Sequence, residues 1–117
     1  MRGPLRRGVV LRVIFGAMPR VVRRSALERE RVVIEWRIGG RRDGRPDVCQ
    51  LVIEDGAAVV VRGEPREPEL TLTMDGVTLL LLATGNANGP ALFVNGELRV
   101  DGDPWLAMRL PWIFGLG

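Results

Sequence analysis

At Arg31 the apolar residues of this chain change their period, and that change orders its elements. Before it, Val10, Ile14 and Met18 recur at i, i+4 and i+8, with Leu11 and Phe15 beside them. That is the stripe of an amphipathic helix. After it, Val32, Ile34, Trp36 and Ile38 alternate with Val33, Glu35 and Arg37, the mark of a strand with one buried face. The chain has 117 residues, the size of one domain that can bury a core without disulfides or metals.

Further elements follow from local chemistry. Pro19 is expected to break or kink the first helix, leaving a second short helical piece to Leu27. After a polar loop from Gly39 to Pro46, a strand runs from about Val48 to Glu54 with Cys49, Leu51 and Ile53 on one face. Asp55-Gly56 supplies the positive φ of a tight hairpin, and a strand from Ala57 to Arg62 returns. Beyond the connector Glu64–Pro68, Leu70, Leu72 and Met74 alternate with Thr in a fourth strand. Asp75 can cap a helix over Val77–Thr84, which Gly85 can end. Pro90–Asn95 suits one helical turn, and Leu98 and Val100 mark a fifth strand. Asp103-Pro104 opens a last helix, Trp105–Leu110, which Pro111 is expected to stop.

The first three strands therefore read as an antiparallel meander with helices on one face, an α+β fold. One domain spans residues 1–117: a basic helical segment over 1–27, a core of sheet and helices over 31–110, and an apolar tail over 111–117.

Composition narrows the chemistry. The chain has no His and no Lys, and all seventeen cations are Arg. Without His there is no Ser-His or Cys-His pair and no imidazole acid–base; without Lys there is no Schiff-base amine and no P-loop lysine. Asp101 and Asp103 at a turn and helix start, and Glu54-Asp55 at a hairpin, are explained by turn chemistry. Gly85-Asn86-Ala87-Asn88-Gly89 follows a helix and lacks the frame of a phosphate loop. Cys49 stands alone in an apolar strand, where a buried, inert thiol is expected. No catalytic residue, metal site or cofactor is expected.

The net charge of +3 conceals an asymmetry: residues 1–45 hold thirteen Arg against four acids, and residues 46–117 hold four against ten. A basic first segment points to an anionic partner, phospholipid head groups or nucleic acid. The scarcity of aromatics among the basic residues argues against nucleic acid. Arg12 interrupts the apolar run after Arg6-Arg7, so an export signal is not expected; with a lone Cys, this favours the cytoplasm.

Two segments demand more than a core. Val77-Thr78-Leu79-Leu80-Leu81-Leu82-Ala83 places leucine on all sides of a helix, so it must touch something apolar besides the sheet. Phe93, Trp105, Trp112 and Phe114 fall within the last 25 positions, and no charge follows Arg109. Either an internal apolar cavity or an exposed apolar patch is implied.

Several motifs then occur in order: Leu70-Thr71-Leu72-Thr73-Met74; the Leu-rich helix closing in Ala83-Thr84-Gly85-Asn86; Ala91-Leu92-Phe93-Val94-Asn95-Gly96; the strand through Gly102-Asp103; and Leu106-Ala107-Met108-Arg109-Leu110. From about Val48 to Leu110 the chain resembles the sterol carrier protein type-two lipid-transfer family. The resemblance implies a five-stranded, mostly antiparallel sheet covered on one face by helices, enclosing a hydrophobic tunnel for fatty acid, fatty acyl-CoA or sterol, without catalysis. Leu79, Leu82 and Ala83 match its tunnel-side helix, Phe93 its Ala-Phe turn, and Trp105, Met108 and Leu110 its closing helix. Ile34, Trp36, Leu51, Ile53 and Leu98 on the strands, with Trp112 and Phe114 of the tail, complete the expected lipid-binding set. Arg6, Arg7 and Arg12, with Leu11 and Phe15, are the expected contacts with an anionic membrane. The alternative is an interaction module, such as a homodimer joined through the apolar tail.

Overall fold

The computed structural model describes residues 3–115, and their side chains from Arg7 onward. Helix α1 (Gly3–Val21) and the short α2 (Arg24–Arg29) precede strands β1 (Val32–Gly39), β2 (Asp47–Glu54) and β3 (Ala57–Arg62). Strand β4 (Leu70–Asp75), helices α3 (Gly76–Ala83) and α4 (Gly89–Val94), strand β5 (Arg99–Gly102) and helix α5 (Pro104–Ile113) complete the chain. The five strands form one sheet in the order β3-β2-β1-β4-β5. All pairings are antiparallel except β1 with β4, which is parallel. The meander expected of the first three strands is present, and Asp55 and Gly56 both take the positive φ that their hairpin needs.

The parallel pair obliges the chain to travel from edge strand β3 past β2 and β1 to reach β4. It does so over the sheet face opposite the helices, held by outward-pointing polar side chains. Gln50 Nε2 donates to Glu35 Oε1 at 2.9 Å and to the Arg66 carbonyl at 2.8 Å. The Glu69 N–H donates to the Val33 carbonyl at 3.0 Å, and the Glu69 carboxylate accepts from the Val33 N–H. Glu35 and Gln50 are buried, yet each has partners, so neither carries the penalty of an orphaned polar group.

On the other face lies the core. Val32, Ile34, Trp36 and Ile38 of β1, Leu51 and Ile53 of β2, and Leu70, Leu72 and Met74 of β4 meet the helices there. Helix α1 turns Leu11, Phe15 and Met18 inward, with Val22 just beyond its end, while Ile14 packs only at the margin and Val9 and Val13 stay exposed. The buried stripe is thus centred on Leu11-Phe15-Met18-Val22, one residue round from the one read off Val10 and Ile14.

Two prolines stand inside helices, and the expected stop at Pro111 is not made. Pro19 lies inside α1, which continues to Val21, and Pro111 lies inside α5, which continues to Ile113 rather than stopping at Leu110. A helical proline forfeits one backbone hydrogen bond and crowds the preceding turn. Burial near each proline offsets this: Met18 and Val22 are buried on either side of Pro19, and Ile113, two residues after Pro111, is wholly buried. Burying a side chain of that size contributes about 1.5–3 kcal/mol.

Candidate functional site

The apolar layer between sheet and helices is the place where the expected lipid-binding residues converge. Ile34, Leu51 and Ile53 are completely buried there, and Trp36 and Leu79 nearly so. Leu82, Leu98, Leu110, Trp112 and Phe114 are partly buried against the same cluster. Trp36 sits at its aromatic centre, meeting Phe15 edge-on at 6.3 Å between ring centroids and Phe114 at 6.1 Å. Its neighbours in the sheet are Cys49 on β2 and Leu72 on β4. Burial pushes the Cys49 thiol pKa up, despite the nearby Arg62.

The remaining expected residues lie elsewhere. Ala83, Phe93, Trp105 and Met108 are exposed; Trp105 is 69% and Met108 73% accessible. On α5 the inward positions are Leu106, Leu110 and Ile113, while Trp105 and Met108 occupy the outer side. Leu106 and Ile113 were not among the expected lining, although their i, i+4, i+7 spacing with Leu110 signals one helix face. Taking Pro111 as a stop hides that spacing.

The Leu-rich helix divides in the same manner. Asp75 caps α3 by accepting from the Thr78 N–H at 2.7 Å, which aims Thr78 and Leu79 at the core. Val77 and Leu81 are left exposed. With Phe93 and Val94 of α4 and Trp105 and Met108 of α5, the three helices display apolar side chains to solvent.

Helix α5 is clamped to the α1–α2 corner. The Arg23 N–H donates to the Ile113 carbonyl at 2.7 Å, and Arg23 Nε donates to the Trp112 carbonyl at 2.8 Å. The Arg23 guanidinium also lies 5.7 Å from the Trp112 ring centroid. The Arg23 N–H thereby meets the Ile113 carbonyl at the C-terminus of the helix, and its cation reinforces the Trp112 carbonyl, which also accepts from the Gly115 N–H at 3.0 Å. Arg109 grips Glu30 through Nε and Nη2, at 3.1 and 3.0 Å.

Of the expected membrane contacts, Leu11 and Phe15 are buried in the core. Arg7 is largely covered: it pairs with Asp47 and donates to the carbonyls of Ile38 and Gly39. Arg12 is exposed, and the Arg6 side chain lies outside the described residues. Arg7 and Asp47 line a cleft of about 560 Å³ at one end of the sheet, with Arg41, Asp43 and the start of α3. Its charges largely answer one another, since Arg41 pairs with Asp43 at 2.7 Å and with Asp47 at 3.3 Å. This cleft lies apart from the apolar layer in which the expected lipid-binding residues gather.

Among the described residues no group of three or more His, Cys, Asp or Glu could hold a metal, and no helix is long and apolar enough to cross a membrane. What the fold offers is a five-stranded α+β domain with an apolar layer under helices, the architecture of sterol carrier proteins. The solved apo structure of sterol carrier protein 2 from Yarrowia lipolytica is similar to it, with a TM-score of 0.74 over 99% of this chain and 94% of that one, at 18% identity. Palmitated SCP2L2 from Aedes aegypti is similar with a TM-score of 0.69, covering 90% of each chain at 16% identity.

The model of the SCP-2 sterol transfer family matches residues 22–114, and the chain belongs to that family. Hydroxysteroid dehydrogenase-like protein 2 of Xenopus tropicalis is 26% identical over 106 residues, 90% of this chain and 25% of that protein. Sterol carrier protein 2 of Bos taurus is 30% identical over 67 residues, 57% of this chain and 12% of that protein. The chain thus spans a quarter or less of the length of both relatives.

Proposed function

We propose that this domain binds a lipid (a fatty acid, fatty acyl-CoA or sterol) in a tunnel between the inner face of its sheet and helices α1, α3 and α5, without catalysing a reaction on it. The observation that carries the reading is the family match over residues 22–114, which takes in the whole sheet and α3 to α5. The similar Aedes aegypti protein is palmitated, which supports an acyl chain as one ligand class. Each methylene withdrawn from water would contribute about 0.8 kcal/mol, so a long chain needs few polar contacts to be held. Transfer between membranes would begin at the basic end of the molecule, where Arg12, Arg20 and Arg24 are exposed beside Val9 and Val13. Arginine on such a face attracts anionic head groups.

The test is a titration of delipidated protein with a fluorescent long-chain fatty acid, followed by competition with unlabelled fatty acid, acyl-CoA and cholesterol. Saturable, stoichiometric and competable binding is expected. Leu82→Trp, at a half-buried position packed on the core, should weaken it, whereas Met108→Trp on the outer side of α5 should not. A folded protein with no saturable signal would overturn the proposal.

A second reading is an interaction module, favoured by the exposed Phe93, Val94, Trp105 and Met108. It predicts a mass that rises with concentration and falls back on Trp105→Ser, with no lipid bound.

A further inference from the structure

The Trp36 side chain carries the one buried side-chain nitrogen or oxygen, among the described residues, that has no hydrogen-bond partner: its indole Nε1. Trp36 is only 6% exposed, and its surroundings are apolar, with the rings of Phe15 and Phe114 against it. Leaving a buried N–H unpaired costs about 1–3 kcal/mol, and a buried tryptophan ordinarily finds an acceptor. Phenylalanine in the same strand position would fill much of the space without that penalty. The buried polar groups of the opposite sheet face, Glu35 and Gln50, are paired, so this donor is the exception among the buried side-chain nitrogens and oxygens of the described residues.

We infer that Trp36 is the polar anchor of the lipid site, and that the lipid it anchors is uncharged, with Nε1–H donating to a hydroxyl or carbonyl oxygen. This rests on the lipid-binding reading above and narrows its ligand class. Charge decides between the candidates. A carboxylate carried to Trp36 would lie against the rings of Phe15 and Phe114, beside Cys49 and Leu72. Of the arginines around this layer, Arg7 is held by Asp47 and Arg23 by the Trp112 carbonyl, while Arg12 and Arg20 on α1 and Arg62 on the edge strand β3 are exposed to solvent rather than turned into the core. Desolvating a full charge costs several kcal/mol, more than one neutral N–H returns. A hydroxyl, ketone or ester oxygen costs far less to bury and is matched by that single donor. Phe114, half-buried at the end of α5 and in contact with Trp36, is the ring a ligand would displace to reach it.

The experiment follows the indole N–H signals of the ¹⁵N-labelled protein, three in number for Trp36, Trp105 and Trp112. Single Trp→Phe variants assign them. Dodecan-1-ol, dodecane and dodecanoic acid at pH 8 are added in turn, with binding scored independently by displacement of the fluorescent fatty acid. The Trp36 signal should move downfield and become protected from solvent exchange with the alcohol, and not with the hydrocarbon or the ionised acid. In Trp36→Phe, the preference for alcohol over dodecane should fall by about three- to tenfold, the worth of one neutral hydrogen bond. Because that quantity is a ratio, a general loosening of the core cancels from it.

Displacement of the probe by the alcohol with an unmoved Trp36 signal would overturn the assignment while leaving lipid binding intact. So would a water cross-peak to the Trp36 proton that persists with alcohol bound. If neither the probe nor any of the three dodecyl compounds binds the folded protein, the lipid-binding reading is removed, and this inference with it.

Discussion

Gly102→Ala isolates the joint on which α5 hangs. Gly102 has a φ of +116° and pairs with Leu70 across β4 and β5. A Cβ built there would stand 2.4 Å from the Glu69 carbonyl oxygen and 3.0 Å from Leu70 Cα. Both are backbone atoms, so no rotamer change relieves the collision. The same Glu69 carbonyl accepts from the Asp103 N–H at 2.9 Å, and the Asp103 side chain caps α5 by accepting from the Trp105 N–H. The forbidden backbone conformation costs about 1–3 kcal/mol, the lost hydrogen bond about 1, and a displaced cap about 1. Together these come to roughly 3–5 kcal/mol, a large part of the ~5–15 kcal/mol that holds a domain folded. Gly96→Ala is the control: its φ is +78°, but nothing lies within 4 Å of the added Cβ. It should cost only the ~1–2 kcal/mol of left-handed backbone. Urea unfolding followed by far-ultraviolet circular dichroism compares the two directly. Equal losses at the two glycines, or a Gly102→Ala midpoint within about 0.5 M of wild type, would refute the argument that crowding at this joint secures α5.

The clamp at the α1–α2 corner gives a further outcome: Arg23→Ala removes the hydrogen bond to the Trp112 carbonyl and the cation–ring contact, and should cost about 2 kcal/mol in urea unfolding. Amide exchange of residues 110–115 should accelerate with it. The Cys49 thiol, its pKa raised by burial, should react with a disulfide reagent at pH 8 far more slowly than free cysteine, and at the free rate in denaturant. The Glu54 carboxyl is held below its ordinary pKa by its hydrogen bonds to Arg66. Its contribution is therefore present above the unfolded value of about 4.3 and disappears as pH falls through the lower folded value. Stability measured from pH 6 to 3 should fall less steeply in Glu54→Gln than in wild type, and the difference should shrink in high salt.

Much of this architecture was legible one segment at a time. The alternation of Val32, Ile34, Trp36 and Ile38, the Asp55-Gly56 turn and the caps Asp75 and Asp103 all announce local structure, because backbone conformation and capping depend on neighbours a few residues away. Motif order from Leu70 to Leu110 carried the family, and with it the five-stranded sheet. The sequence offers two apolar faces on α5, one through Leu106, Leu110 and Ile113 and one through Trp105 and Met108; the docking of α5 on β4 selects the first. Nor could it tell that α5 runs through Pro111, because the compensating burial of Ile113 and the Arg23 contacts come from parts of the chain about ninety residues apart. Arg7 reads as a free surface cation until the fold brings Asp47 to it, and Trp36 reads as ordinary core until the packed layer leaves its N–H without an acceptor. Periodicity specifies which residues want to leave water, whereas only the assembled layers decide which polar atoms leave with them and find a partner.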